Sequence, residues 1–111
     1  METVKINKIK KNNDFNMIYN NSRKIYTRYA IIFMKENKNK KRRFGFVASK
    51  KTGNSVKRNR IKRLFREFVR NNHERFEINK DYIFVGKAVL KDKIKDLSYR
   101  DFEKDLKKLI I

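Results

Sequence analysis

The sequence contains no cysteine, no proline, one histidine and only three glycines among its 111 residues. Without cysteine the chain cannot form a disulfide, bind a metal through a thiolate or use a cysteine nucleophile. A single histidine is too few for a typical zinc site or a histidine-based triad to be expected. The composition therefore argues against most enzyme chemistries that a protein performs alone.

Long apolar runs are also missing. The longest, such as residues 30–34, fall far short of the roughly 20 residues that a membrane span needs, and the N-terminal residues show no apolar signal-peptide region. We therefore expect a cytoplasmic protein without a membrane partner. No repeat, linker or compositional break divides the chain, which predicts one domain over residues 1–111.

Acidic residues are few. The chain has 32 Lys and Arg against 12 Asp and Glu, which gives a formal net charge of +20. The imbalance is regional, because Glu36 and Glu67 are the only acids among the basic residues of segment 35–70. Such a surface repels itself unless a polyanion lies across it, so a nucleic acid is the first partner to consider.

Hydrophobic spacing predicts three helices and a sheet. Helices are expected after Asn13 or Asp14, over residues 56–72 and after Ser98. Strands are expected over residues 24–35 with a break near Thr27 and Arg28, over residues 44–50 antiparallel to the first, and over residues 81–87. An α/β (α+β) sandwich, with helices packed on a mixed sheet, would bury these elements together.

The helix over residues 56–72 has two unlike faces. Its apolar stripe consists of Ile61, Leu64, Phe65 and Phe68. The opposite face is polar and basic, with Arg58 and Arg60 on the flanks and Asn59, Lys62, Arg63, Arg66 and Arg70 between them. A merely solvated face would usually carry acids four residues from its bases, and only Glu67 is present. The pattern favours phosphate binding, to which arginine is well suited.

This segment carries a family resemblance. Residues 49–54 read Ser-Lys-Lys-Thr-Gly-Asn and lead into a helix that begins with Arg58-Asn59-Arg60, which strongly resembles the bacterial ribonuclease P protein family. The resemblance extends to Asp14-Phe15 with Tyr19, and to residues 44–49 and 80–83. It implies a sheet of about four strands with three helices, in the order α-β-β-β-α-β-α, and a left-handed β-α-β crossover.

The resemblance also implies a function. The family's protein joins a catalytic RNA that removes the 5′ leader from precursor tRNA, and the RNA holds the Mg²⁺ active site. The expected partners are therefore the ribonuclease P RNA subunit and precursor tRNA, with no small-molecule substrate. No catalytic residue, metal or cofactor is expected on the protein, which should be inactive alone.

Two sets of residues follow from the resemblance. The expected contacts to the RNA subunit are Lys50, Lys51, Arg58, Arg60 and Arg63. The expected contacts to the leader, in a cleft between helices and sheet, are Phe15, Tyr19, Phe33, Asn59, Lys62 and Arg66. Aromatic side chains above a basic groove suit an unpaired strand. Tyr19 stands where the family often has Phe, and both Tyr19 and Phe33 could equally be core residues.

The sequence also allows other interpretations. A basic ribosomal protein that binds ribosomal RNA fits the size, charge and mixed architecture. A helix-turn-helix regulator fits less well because a strand precedes the basic helix. His73 beside Glu74 indicates an exposed helix end. A last group of residues is expected to serve only solubility and helix capping: Asp92, Asp96, Asp101 and Asp105.

Overall fold

The structure, a computed structural model, describes residues 6–9, 12–38 and 41–110. Parts of the basic lead-in and of the turn after residue 38 lie outside the described residues. The strands are β1 (Asn7–Lys8), β2 (Arg23–Tyr26), β3 (Ala30–Glu36), β4 (Arg43–Val47) and β5 (Lys80–Gly86). The α-helices are α1 (Asn12–Asn20), α2 (Ser55–Asn71), α3 (Leu90–Lys93) and α4 (Tyr99–Leu106).

The strands form one mixed sheet in the order β1-β4-β5-β3-β2. Strands β2, β3 and β5 pair antiparallel in succession, whereas β5 with β4 and β4 with β1 pair in parallel. The mixed α/β architecture is therefore confirmed. The sheet has five strands rather than about four, because β1 contributes two residues that carry no periodic pattern of their own.

The position of β4 in the sheet also differs from what its prediction as a strand antiparallel to the first suggests. It runs opposite to β3 but does not pair with it, because β5 lies between the two. The chain leaves β4, passes through α2 and returns as β5 in parallel. This is the β-α-β unit that the resemblance implies, and its left hand stays a prediction.

The larger core lies between the sheet and α2, α3 and α4. Phe44 and Phe84 of the sheet pack there with Phe65 and Phe68 of α2 and Phe102 of α4, and all five are fully buried. Burial of a side chain of this size contributes about 1.5–3 kcal/mol. The predicted apolar stripe of α2 and the helix predicted after Ser98 are thus confirmed, and Ser98 caps α4 by accepting from the Asp101 amide.

A smaller cluster covers the opposite face of the sheet. Ile18 of α1 and Ile83 of β5 are buried there together with Ile9. Phe15, Tyr19 and Phe33 pack against this cluster and are each half-buried. Helix α1 therefore packs on one face of the sheet, and α2, α3 and α4 pack on the other.

One expected solubility residue has a structural role instead. Asp105 of α4 is buried, and its carboxylate accepts hydrogen bonds from the backbone amides of Arg28 at 2.9 Å and Tyr29 at 3.0 Å. These two residues lie in the break between β2 and β3, which the sequence predicts near Thr27 and Arg28. The carboxylate thus satisfies two amide donors that the bend removes from the strand ladder. His73 also differs from expectation, since its side chain is only 16% exposed and lies near Phe44.

Candidate nucleic-acid interface

The start of α2 is fixed by a short polar turn. The Ser49 hydroxyl accepts from the Lys51 amide, and the Asn54 side chain accepts from the Lys57 amide at 3.0 Å. Between them Gly53 has a φ of 118°, a region that residues with a Cβ rarely occupy. The turn therefore ends the sheet segment and caps α2, and it leaves Lys50 and Lys51 exposed beside the first turn of the helix.

The basic face of α2 points away from the core, as its spacing predicts. Asn59, Arg60, Arg63 and Arg70 are exposed, whereas Lys62 and Arg66 are half-buried. Glu67 is the only acid within the helix. The face is thus a dense array of cations that the helix itself does little to neutralise.

Arg58 and Arg60 occupy the borders between the two faces of α2. The Arg58 guanidinium donates to the Ser55 hydroxyl at 3.2 Å, and among the described residues its buried Nε has no hydrogen-bond partner. Arg60 donates to the backbone carbonyl of Leu97 at 3.5 Å. Their stems lie along the protein while much of their charge remains at the surface, which is the arrangement expected of flanking arginines.

A cleft of about 170 Å³ lies between α1, β4 and α2. Phe15 of α1 and the pair Lys62 and Arg66 of α2 contribute to its walls. Its remaining lining residues are Lys8, Ile9, Phe44, Gly45 and Phe46. The cleft therefore combines an aromatic ring, apolar strand residues and basic side chains.

Gly45 explains how Phe15 approaches the sheet. A Cβ at this position would lie 2.6 Å from a ring carbon of Phe15, far inside van der Waals contact. The absent side chain lets the ring rest on the backbone of β4. A glycine within a strand often marks such a close approach, so the sequence does contain a signal for this contact.

A row of aromatic rings continues from the cleft. The ring centroids of Phe15 and Tyr19 are 6.3 Å apart, and those of Tyr19 and Phe33 are 4.8 Å apart in an edge-to-face arrangement. The Lys24 ammonium lies 5.5 Å from the Phe33 centroid. Burial raises the pKa of the Tyr19 hydroxyl, which keeps it neutral. Tyr19 and Phe33 thus support the small core and also reach the surface.

The structure brings some, but not all, of the expected leader-binding residues together at the cleft. Phe15, Lys62 and Arg66 meet at one cleft, and Tyr19 and Phe33 join it through ring contacts. Asn59 is exposed on the same helix but is not among the residues that line the cleft. Sequence reasoning misses the contributions of Lys8, Phe46 and Lys24, because each depends on strand pairing that local patterns do not reveal.

Two absences hold for the part of the chain that the structure describes. Its His, Asp and Glu residues nowhere form a group of three or more that could hold a metal ion. None of its helices is long and apolar enough to span a membrane.

Comparison with known proteins identifies the family. Residues 4–111 match the family model described as Ribonuclease P. The chain belongs to the ribonuclease P protein family. A relative named ribonuclease P protein component, from Fusobacterium nucleatum subsp. nucleatum, is 47% identical over 104 residues, which covers 94% of each chain. The family resemblance read from the sequence is thereby confirmed.

Solved structures of the ribonuclease P family share the fold. The protein from Thermotoga maritima superposes with a TM-score of 0.85 at 21% identity, over 93% of this chain and 94% of the other. A Staphylococcus aureus ribonuclease P protein, described as a mutant with defective mRNA degradation activity, has a TM-score of 0.80 at 31% identity. That match covers 91% of this chain and 82% of the other.

Proposed function

We propose that this chain acts in the cytoplasm as the protein subunit of ribonuclease P. It binds the catalytic RNA subunit through the basic residues at the start and outer face of α2, and it binds the 5′ leader of precursor tRNA in the cleft beside α1. The RNA subunit performs the endonucleolytic cleavage that yields the mature tRNA 5′ end.

The observation that carries the leader assignment is the meeting of Phe15, Lys62 and Arg66 at one cleft. An unpaired strand presents bases and phosphates in alternation, so it is best held by rings and cations that lie side by side. Tyr19 and Phe33 extend the ring surface, and Asn59 can add a polar contact at the exposed side of α2. A paired RNA helix would not offer its bases to these rings.

The surface assigned to the RNA subunit consists of basic residues just before α2 and on the first turns of that helix. Lys50, Lys51 and Arg63 are exposed, and Arg58 and Arg60 are anchored beside them by single hydrogen bonds. Guanidinium groups bind phosphate oxygens in bidentate fashion, which positions one RNA body against another. Both surfaces therefore include residues of α2, so the protein can hold the substrate leader next to the RNA enzyme.

The chemistry is assigned to the RNA subunit and its Mg²⁺ ions. The described residues offer no clustered metal ligands, and family membership supports a protein that contributes binding energy. A net charge of +20 offsets repulsion between two large RNAs. The protein should therefore lower the Mg²⁺ concentration needed for substrate binding and favour precursor over mature tRNA.

A reconstitution experiment tests this function. The purified chain is combined with ribonuclease P RNA from F. nucleatum, the source of the relative described above, and cleavage of precursor tRNA is followed. We expect no leader removal by protein alone, cleavage by RNA alone at high Mg²⁺, and cleavage by both together at low Mg²⁺. Specific leader removal by RNA-free protein would contradict the proposal, as would an unchanged Mg²⁺ requirement.

Two further arms separate other possibilities. Because the S. aureus variant is described by its defect in mRNA degradation, an mRNA fragment is included in the protein-alone arm, and its survival is expected. Crosslinked RNA from cells is also sequenced to distinguish ribonuclease P RNA from ribosomal RNA. Family membership favours the former, and recovery of ribosomal RNA alone would support the ribosomal-protein alternative.

A further inference from the structure

Part of the sheet face that carries Phe33 is not covered by α1. Tyr26 of β2 pairs with Ile31 of β3, Ile31 with Val85 of β5, and Val85 with Val47 of β4. Cross-strand partners point to the same side of a sheet, and Ile31 is two residues from Phe33. These four side chains therefore form one row on the face that also bears Phe33. We call this row the Tyr26 row.

The Tyr26 row ends in an exposed ring beside cations. Tyr26 is 62% exposed, whereas Ile31, Val85 and Val47 are half-buried and form an apolar floor. The Lys87 ammonium lies 5.6 Å from the Tyr26 ring centroid and is held there by donating to the Thr27 carbonyl at 2.6 Å. Among the large exposed hydrophobic side chains of the described residues, Tyr26 is the only aromatic one.

The Tyr26 row adjoins the ring surface assigned to the leader. Lys24 is the register partner of Phe33, and its ammonium lies 5.5 Å from that ring. Tyr26 is two residues farther along β2, a step of about 7 Å on the same face. The rings of Phe15, Tyr19 and Phe33 therefore lead from the cleft towards Tyr26, and a lysine lies beside each of the last two rings: Lys24 at Phe33 and Lys87 at Tyr26.

We propose that the Tyr26 row is a second single-stranded RNA subsite, in which a base stacks on Tyr26 and the adjoining phosphates contact Lys24 and Lys87. This inference rests on the proposed function and deepens it. The occupant is the part of the leader farthest from the scissile bond, because the row ends at the sheet edge that lies away from the cleft and from the RNA-subunit surface. Strand β2 is at the edge of the sheet opposite β1 and β4, whereas the cleft and the basic face of α2 adjoin β4.

The charge of the subsite supports RNA over a protein partner. The Tyr26 row and its two neighbouring lysines, Lys24 and Lys87, include no acidic residue. A ring flanked by ammonium groups matches the alternating bases and phosphates of an unpaired strand. The consequence is a preference that depends on leader length. A leader that ends within the cleft cannot reach Tyr26, whereas a longer one gains the additional contact.

The test compares two precursor tRNAs bound to the reconstituted holoenzyme, one with a leader of about four nucleotides and one with about ten. Tyr26→Ala should weaken binding of the long-leader substrate about tenfold, the effect of one unstacked base, and should change binding of the short one far less. Tyr26→Phe should retain the preference because the ring remains. Ile78→Ala, which trims another exposed apolar side chain, serves as the matched control.

Lys24→Gln supplies an independent variant if Tyr26→Ala unfolds. It should lower the salt dependence of long-leader binding by the equivalent of roughly one phosphate and leave that of the short leader nearly unchanged. Equally weakened binding of both substrates, or unchanged binding in both variants, would overturn the subsite. If Phe15→Ala still weakens leader binding in the same assay, only this inference fails. If the wild-type chain does not bind the RNA subunit at all, the proposed function fails with it.

Discussion

Arg43 and Asp81 form a bidentate ion pair between neighbouring parallel strands, with Nε to Oδ1 at 2.8 Å and Nη2 to Oδ2 at 2.7 Å. The Asp81 side chain is only 4% exposed, and the Asn37 amide also donates to it. Hydrogen bonding to Asp81 raises the pKa of the Arg43 guanidinium. Because Arg43 Nη1 also lies 3.5 Å from Asp14 of α1, one arginine links the helix that carries Phe15 to two strands.

Replacement of Arg43 should therefore destabilise the fold. Arg43→Met leaves a buried carboxylate without its cation, and we expect the free energy of unfolding to fall by about 2–3 kcal/mol. This loss in the free energy of unfolding is smaller than that expected for a fully buried ion pair, because the Arg43 side chain is 23% exposed. Urea unfolding measures the change, with Arg100→Met on the exposed side of α4 as the control. Equal stability of the two variants would contradict the role given to this pair.

A second prediction concerns pH. The Tyr99 hydroxyl donates to Glu103 at 2.7 Å, which lowers the pKa of Glu103 below its usual 4.5, while burial raises the pKa of Tyr99 above its usual 10. The lowered Glu103 pKa stabilises the fold above about pH 4.5, and this contribution is lost as the pH falls through the folded-state value. The raised Tyr99 pKa stabilises below about pH 10, and this contribution is lost as the pH rises further.

The variant Tyr99→Phe isolates this pair from the other carboxylates. Wild type should lose more unfolding free energy than Tyr99→Phe between about pH 5 and pH 3, and again above about pH 10. Urea unfolding at several pH values gives the difference between the two proteins. Parallel pH profiles would show that the hydrogen bond is not coupled to stability.

The third prediction addresses the RNA-subunit surface. The double variant Arg60→Ala with Arg63→Ala should weaken binding to ribonuclease P RNA, and the slope of log affinity against log salt should fall by roughly one for each phosphate that is no longer neutralised. Filter binding over a salt series measures both quantities. Arg100→Ala, which removes one positive charge from α4, is the control, and circular dichroism checks that the helix content is unchanged. An unchanged slope would exclude these arginines from the interface.

The fourth prediction concerns Phe15 and the leader. Phe15→Ala should weaken holoenzyme binding to precursor tRNA by about 1–3 kcal/mol, the stacking energy of one base, when the leader spans several nucleotides. A precursor with almost no leader should be affected far less. Equal weakening on both substrates, with a lowered melting temperature, would mark Phe15 as a core residue only.

Gly45→Ala probes the same contact without removing the ring. The added methyl group would lie 2.6 Å from the Phe15 ring, so the ring must leave its place on β4. The leader-dependent weakening should therefore resemble that of Phe15→Ala. Gly86→Ala is a comparison outside the cleft, since its methyl group would meet Ile61 and Leu90 at 3.2 Å in the larger core.

Much of this architecture follows from local sequence patterns. The stripe of α2, the helix that begins after Ser98 and the break near Thr27 and Arg28 all depend on residues close in sequence. The structure confirms each of them. The basic face of α2 is equally predictable, because helical periodicity alone separates it from the buried side.

The features that local patterns do not predict depend on contacts between residues far apart in the sequence. The insertion of β5 between β3 and β4 is decided by how whole layers pack, and β1 exists only through its pairing with β4. The cleft joins Phe15 to Lys62 and Arg66 across these same strands. The expectation for Asp105 is wrong for the same reason, because nothing near it in sequence shows that it reaches residues 28 and 29.

The reach of Asp105 has a consequence for the order of folding. Its hydrogen bonds to the amides of Arg28 and Tyr29 join residues 77 and 76 positions apart in the chain. A chain synthesised from its N-terminus exposes β2 and β3 early, but the two amides of their bend cannot bind the Asp105 carboxylate until α4 has left the ribosome. Strand β3 likewise cannot complete its pairing until β5 has been synthesised. The β2–β3 pair therefore keeps an open strand edge until β5 has been made, and the native state forms late in synthesis.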